Sequence, residues 1–170
     1  YPFTEEGKVL RVASAEDLKE QARLDSRKPQ ISRTAREIIR QIDLPMKLVE
    51  VESLLGEERL IFYFMSEQRV DFRELVRRLA GEFQTRIEMR QVGARDEARL
   101  TADYEKCGQH CCCRQFLKVL RPVSMKSAKI QKATLDPAKI SGRCGRLMCC
   151  LRYEQQTYDE LRKRLPNRNA

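Results

Sequence analysis

Residues 46–65 read MKLVEVESLLGEERLIFYFM. Two apolar, β-prone runs, Met46 to Leu54 and Arg59 to Met65, flank Leu55-Gly56-Glu57-Glu58, and that pattern predicts an antiparallel hairpin. Downstream, Asp71 is placed to cap a helix that turns Phe72, Leu75, Val76 and Leu79 inward, with Glu74 completing a capping box and Gly81 near the helix end. Thr85 to Val92 then predicts another strand. Upstream, Ser14 with Asp17 three places later marks a helix start. That helix runs through Leu18 and Ala22 until Pro29 is expected to interrupt it, and Ala35, Ile38, Ile39 and Ile42 mark the apolar face of a second helix ended by Pro45. Gly7 to Ala13 alternates like a short strand.

The order strand, helix, strand, strand, helix, strand is that of the split βαβ ferredoxin-like fold; without the first strand it is a KH-like αββαβ layout. The expected class is therefore α+β, a ferredoxin-like or KH-like αββαβ unit followed by a Cys-rich, mainly helical region. Residues 1–13 are assigned as the remnant strand of an amino-terminal module, 14–92 as the α+β scaffold unit and 93–170 as the Cys-rich basic helical region. Within the last, 93–106 is polar and Gly-interrupted and is taken as a passage without regular structure. Helices are expected over 112–120 and 124–132, and one or two over 145–165 ending at Pro166, with turns at Asp136-Pro137 and Ser141-Gly142.

Charge divides the chain of 170 residues unevenly. Residues 1–106 hold 20 basic and 21 acidic side chains, whereas 107–170 hold 14 and 4. All seven cysteines lie in the basic part, at 107, 111, 112, 113, 144, 149 and 150, so the chemistry is expected there. No apolar run nears the roughly 18 to 20 residues of a membrane-spanning helix, and the acidic start Tyr1-Pro2-Phe3-Thr4-Glu5-Glu6 is unlike a signal peptide, so a cytoplasmic protein without direct membrane insertion is expected. In a reducing compartment, an odd number of clustered thiols reads as metal-binding rather than as a disulfide framework.

Cys107-Gly108-Gln109-His110-Cys111-Cys112-Cys113 and Cys144-Gly145-Arg146-Leu147-Met148-Cys149-Cys150 share the form C-G-x-x-x-C-C, offset by 37 residues, with Phe116 and Tyr153 following at the same offset. Such a repeat predicts one shared thiolate site. The Gly permits a tight turn, and the paired cysteines open a helix whose N-terminus favours thiolate. Adjacent helical side chains diverge by about 100°, so the simplest ligand set is Cys107, Cys144 and one cysteine of each pair. Four thiolates suit a tetrahedral zinc ion or a cubane 4Fe-4S cluster, and the leftover thiols favour the cluster. His110 faces Leu147 in the repeat, and Cys111 faces Met148, which makes Cys111 a packing or accessory thiol. A thiol enzyme would need a base and an orienting partner; neither pattern is found, nor a Gly-rich phosphate loop, and the chain is expected not to be an enzyme.

Between Arg114 and Arg146 lie nine basic residues against Asp136 alone, and Lys126, Lys129 and Lys132 recur at helical spacing. Arg114, Lys118, Lys126, Lys129, Lys132 and Arg146 are the expected contacts for an RNA backbone or an acidic partner. With aromatic residues at 6% and no Trp, a base-stacking platform for single strands is weakly supported.

The stretches PVSMKSAK at 122–129 and DPAKISGRCGRLMCCLRYE at 136–154 resemble the signature of the PSP (polymerase suppressor protein) C-terminal domain family, and MKLV at 46–49, FYF at 62–64, RVDFREL at 69–75 and TRIE at 85–88 resemble it as well. The resemblance implies a cytoplasmic adaptor joining RicA-like and RicF-like small helical proteins in a complex that carries cubane iron-sulfur clusters. Such a complex directs messenger-RNA maturation by an endoribonuclease and, in spore formers, influences sporulation. By position, it implies Cys107, Cys112, Cys113, Cys144, Cys149 and Cys150 as cluster ligands. The competing reading is a zinc-stabilised nucleic-acid-binding module.

Overall fold

The computed structural model describes residues 9–56 and 58–166. They belong to two compact units, Tyr1–Gly93 and Ala94–Ala170. The first contains α1 (Ala15–Gln41), β1 (Lys47–Ser53), β2 (Arg59–Met65), α2 (Arg73–Phe83) and β3 (Arg86–Gln91). The start of α1 is the predicted capping box: the Ser14 hydroxyl accepts the Asp17 N–H at 3.2 Å, and the Asp17 carboxylate accepts the Ser14 N–H at 2.7 Å.

The hairpin forms, with Lys47 opposite Met65 and Ser53 opposite Leu60, and an irregularity between Leu48 and Glu50. Strand β2 is central and pairs in parallel with β3, from Arg59 opposite Arg86 to Phe64 opposite Gln91. The β2–α2–β3 crossover thus joins neighbouring strands. A split βαβ unit would have a strand between them, so the KH-like order is the one realised. One face of the sheet packs Leu48, Val51, Leu60 and Phe62 against Ile31, Ala35 and Ile39 of α1 and Leu75 and Leu79 of α2. Leu75 and Leu79 are fully buried, and each such side chain contributes about 1.5–3 kcal/mol.

Four local expectations for this unit are corrected. Gly7 and Lys8 lie outside the described residues, and Val9 to Ala13 form no strand; Val9, Leu10 and Val12 stay more than four-fifths exposed because no strand is paired with them. Pro29 does not interrupt α1. It is exposed inside one continuous helix, while the buried stripe Leu24, Ile31, Ala35, Ile39 crosses it in register, so tertiary burial outweighs a local cost of about 3 kcal/mol. The Asp71 box does not close: its carboxylate takes the Arg73 N–H, Glu74 pairs with Arg78, and Phe72 becomes the N-cap, with its ring against Phe64 at 6.0 Å. Phe72 is not turned inward but 37% exposed, whereas Gly81 does stand near the end of α2, whose left-handed cap is Gln84, at φ 50.

The second unit holds α3 (Ala94–Thr101), α4 (Cys112–Gln115), α5 (Met125–Ile130), α6 (Pro137–Ile140), α7 (Cys150–Tyr153) and α8 (Gln155–Arg164). The helix α3 lies where no regular structure was expected. Elsewhere, helices are shorter than predicted. Asp136 caps α6 by accepting the Ala138 N–H at 3.0 Å rather than forming a free turn. The one or two helices expected over 145–165 are two, α7 and α8, with residues 145–149 preceding them. Small apolar clusters, Ala102 with Cys111 and Cys113, and Ala128 with Ile140 and Leu151, take the place of one large core.

Candidate metal centre

Each C-G-x-x-x-C-C segment folds as a knuckle, and the two copies repeat one another bond for bond. Single β-bridges join Tyr104 to His110 and Ser141 to Leu147. Glu105 N–H donates to the Gln109 carbonyl at 2.8 Å, as Gly142 N–H does to Arg146. Gly108 N–H reaches the Glu105 carbonyl at 3.0 Å and Gly145 N–H the Gly142 carbonyl at 2.9 Å; Cys111 N–H reaches Asp103 at 3.0 Å and Met148 N–H reaches Ile140 at 2.9 Å. The turn needs positive φ after the first cysteine, and Gly108 (φ 81) and Gly145 (φ 73) supply it without steric cost. Cys112 then opens α4, and Cys150 opens α7.

The copies close on each other. The rings of Phe116 and Tyr153, equivalent in the repeat, meet edge to face with centroids 5.2 Å apart. Glu105 of the first knuckle accepts the backbone N–H of Arg143 in the second at 2.7 Å and that of Lys106 at 2.8 Å, while the Arg143 guanidinium donates to the Tyr104 carbonyl at 3.2 Å. Gly142 occupies the position equivalent to Glu105. A Cβ there would lie 3.1 Å from the Glu105 carboxylate and 3.7 Å from Cys144 Sγ, so one copy provides the carboxylate and the other the space for it. From sequence Gly142 was read only as part of a turn and Glu105 was not singled out, because several flanking positions of the repeat differ and none marks this pairing.

The six cysteines named as ligands fall within this closed pair, with Cys107 exposed, Cys113 buried and Cys112, Cys144, Cys149 and Cys150 half-buried. Cys111 is buried beside Ala102 and Cys113 as a packing residue. Burial pushes the Cys149 thiol up to about 11, helped by the negative charge that Cys112, Cys113 and Cys150 would carry, with Arg95 opposing. Burial likewise raises Cys150, with Glu154, Cys112 and Cys107 adding to it, and raises Cys113, with Cys144 adding. The helix-start effect expected to favour thiolate is therefore outweighed, since a helix of four residues brings little dipole and the thiols repel one another's charge. Electrostatic influence crosses between knuckles in both directions, from Cys112 to Cys149 and Cys150, and from Cys144 to Cys113.

Among the described residues, no three His, Cys, Asp or Glu side chains are drawn together tightly enough to hold a single metal ion. The donor chemistry nonetheless fits a thiolate-bound centre: six sulfurs, all but that of Cys107 half-buried or buried, on two turns that face each other, whose crowded negative charge a cationic centre would offset. His110 stays outside that set, stacked on Tyr104 with centroids 4.3 Å apart.

Of the expected basic contacts, Lys126 and Lys129 are exposed on α5, but Lys132 lies beyond its end in a left-handed conformation (φ 50), so the three do not share one helix face. Arg114 is drawn into an ion pair with Asp103, and Lys118 donates to the Arg114 carbonyl at 3.0 Å. Arg146 is exposed on the second knuckle. Among the described residues, no helix is long and apolar enough to cross a membrane.

A KH-like αββαβ unit followed by a duplicated cysteine knuckle defines a thiol-rich module of mixed architecture. The chain belongs to the PSP1 family: the PSP1 C-terminal conserved region matches residues 7–92, and the third domain of PSP1-like proteins matches residues 122–165. The second knuckle falls inside these matches and the first lies between them. The chain is 47% identical over 124 residues to the stage 0 sporulation protein YaaT of Bacillus subtilis (strain 168), which covers 73% of this chain and 45% of that protein. It is also 45% identical over 51 residues to an uncharacterised protein of Schizosaccharomyces pombe (strain 972 / ATCC 24843), covering 30% of this chain and 7% of that one. The chain thus spans less than half the length of its Bacillus relative. No solved structure matches it.

Proposed function

We propose that the chain is a non-catalytic, cytoplasmic regulatory adaptor, RicT-like in role, whose two knuckles together hold an iron-sulfur cluster. In this reading it works in a complex with RicA-like and RicF-like small helical proteins that directs RNA processing by an endoribonuclease and bears on sporulation. The observation that carries the proposal is the closure of two bond-for-bond equivalent knuckles through Phe116–Tyr153 and Glu105–Arg143. Similarity to a sporulation protein supports the developmental part.

Four thiolates drawn from Cys107, Cys112, Cys113, Cys144, Cys149 and Cys150 would hold the cluster, which when bound would supply one-electron or oxidant-sensitive chemistry. The protein's own part is to fix the two turns against each other. Gln131 donates to the Leu151 carbonyl at 2.6 Å and Ser127 to Gln155 at 2.9 Å, bracing α7 and α8 on α5 behind the second knuckle. Lys126, Lys129 and Arg146 then offer exposed positive charge to phosphate.

The test is purification of the full chain without oxygen, followed by iron, sulfide and zinc analysis. Iron with equal sulfide and broad absorbance near about 400 nm supports the proposal; stoichiometric zinc in colourless protein establishes the zinc-module reading instead.

A further inference from the structure

The geometry points to a binding site for an unpaired base of single-stranded RNA in the cleft beside the Phe116–Tyr153 ring pair. This deepens the reading of the second unit as the part that meets RNA, and Cys149 of the candidate metal centre lines the same cleft.

Phe116 and Tyr153 are 55% and 60% exposed although their edges touch, so ring surface remains open to a ligand. Beside them is a cleft of about 230 Å³ whose apolar lining comes from Leu117, Val119 and Leu120, with Arg121 and Arg152 also lining it. Exposed aromatic rings and guanidinium planes are the two protein surfaces on which a splayed base stacks, and arginines beside them reach the adjoining phosphates. Arg152 uses one N–H on Gln155 at 3.1 Å, and Arg121 is exposed.

Charge complementarity selects a polyanion. Residues 107–170 carry 14 basic side chains against 4 acidic ones, so the ring pair lies in a field that attracts phosphate. Stacking selects unpaired bases, because the bases of an A-form duplex are closed within the helix and cannot enter a cleft. An acidic protein segment would answer the charge but would not need guanidinium beside bare ring surface, and it is the alternative the test must detect.

Because the chain has no Trp, Tyr153→Trp introduces a single indole in the lining of the cleft. In the full chain this variant is titrated with an oligouridine about twelve nucleotides long, the same length of RNA duplex, and polyglutamate. The inference expects indole quenching by oligouridine alone. In fluorescence anisotropy, Tyr153→Ala should weaken oligouridine binding about 5- to 100-fold with little change in salt dependence, and Arg121→Gln should shallow the slope of log K against log salt by about 0.7. If Tyr153→Ala does not fold, Arg121→Gln, a change at an exposed residue outside the helices, decides. Equal quenching by duplex, or quenching by polyglutamate, overturns the inference. Salt-dependent RNA binding without quenching removes the cleft but leaves RNA docking by the unit intact; no RNA binding at all removes both.

Discussion

Replacing Glu105 by Ala removes the acceptor for two backbone N–H groups, those of Arg143 at 2.7 Å and Lys106 at 2.8 Å. Hydrogen bonds to a charged group contribute about 1.5–3 kcal/mol. Glu105 is only half-buried and the Lys106 N–H can turn to water, which reduces the expected loss to about 1–2 kcal/mol. For a unit of this size, that is a fall in Tm of about 4–15 °C. Gly142→Ala should destabilise through the same contact, since the new methyl would stand 3.1 Å from the Glu105 carboxylate. The two changes must therefore couple. In the Glu105→Ala background, Gly142→Ala should cost about 1 kcal/mol less than it does alone. Urea unfolding of the four proteins in reductant, followed by circular dichroism, measures the cycle, and the rate of Cys144 modification reports whether the second knuckle has loosened. Additive effects within about 0.3 kcal/mol would refute the clamp between knuckles.

Pro29→Ala should raise the urea midpoint, by about 1–3 kcal/mol of stability, because it restores a missing helix bond at an exposed position of α1; a lower midpoint would mean that the proline is required there. The Arg73 guanidinium and backbone N–H hold the Asp71 carboxyl down to about 2, against an ordinary 3.8. Its folded value lies below its unfolded one, so the stability it confers is full above pH 3.8 and is lost as pH falls through about 2. The difference in Tm between the wild type and Asp71→Asn should therefore close on acidification across that window, and a constant difference would contradict the assignment. Changing Lys126 and Lys129 together to Glu should shallow the salt dependence of single-stranded RNA binding by at least about 1.4; an unchanged slope would make them solubilising charges.

Hydrophobic alternation and turn chemistry made the hairpin, α2 and β3 readable to within a residue or two, because each buries a face whose period is set by its own backbone. Pro29 misled because local propensity was weighed without the apolar stripe that continues across it from Leu24 to Ile39. The segment from Gly7 to Ala13 alternates like a strand, yet alternation fixes only what a residue run can pair with, and among the described residues no strand pairs with Val9 to Ala13. Helix α3 was missed because it is only eight residues long and its apolar face rests on small residues, Ala94 and Ala98, rather than on buried large side chains.

At the site, the repeat of seven residues disclosed two equivalent turns and their glycines. The contacts that join the turns were hidden, because a hydrogen bond between Glu105 and Arg143 leaves no pattern along the chain. The same reason explains the exposed ring pair: Phe116 and Tyr153 are 37 residues apart and meet only after both knuckles have folded. The direction of the thiol shifts was also beyond the sequence, since it depends on burial and on sulfur neighbours from the other copy.

The central claim is that both knuckles serve one centre, and the most direct measurement is iron and sulfide content after Cys107→Ser and, separately, Cys144→Ser in chains purified without oxygen. One shared centre predicts that either change alone removes most of the iron and sulfide while far-UV circular dichroism stays near wild type. Undiminished iron and sulfide in both single variants and in the double variant would contradict the claim.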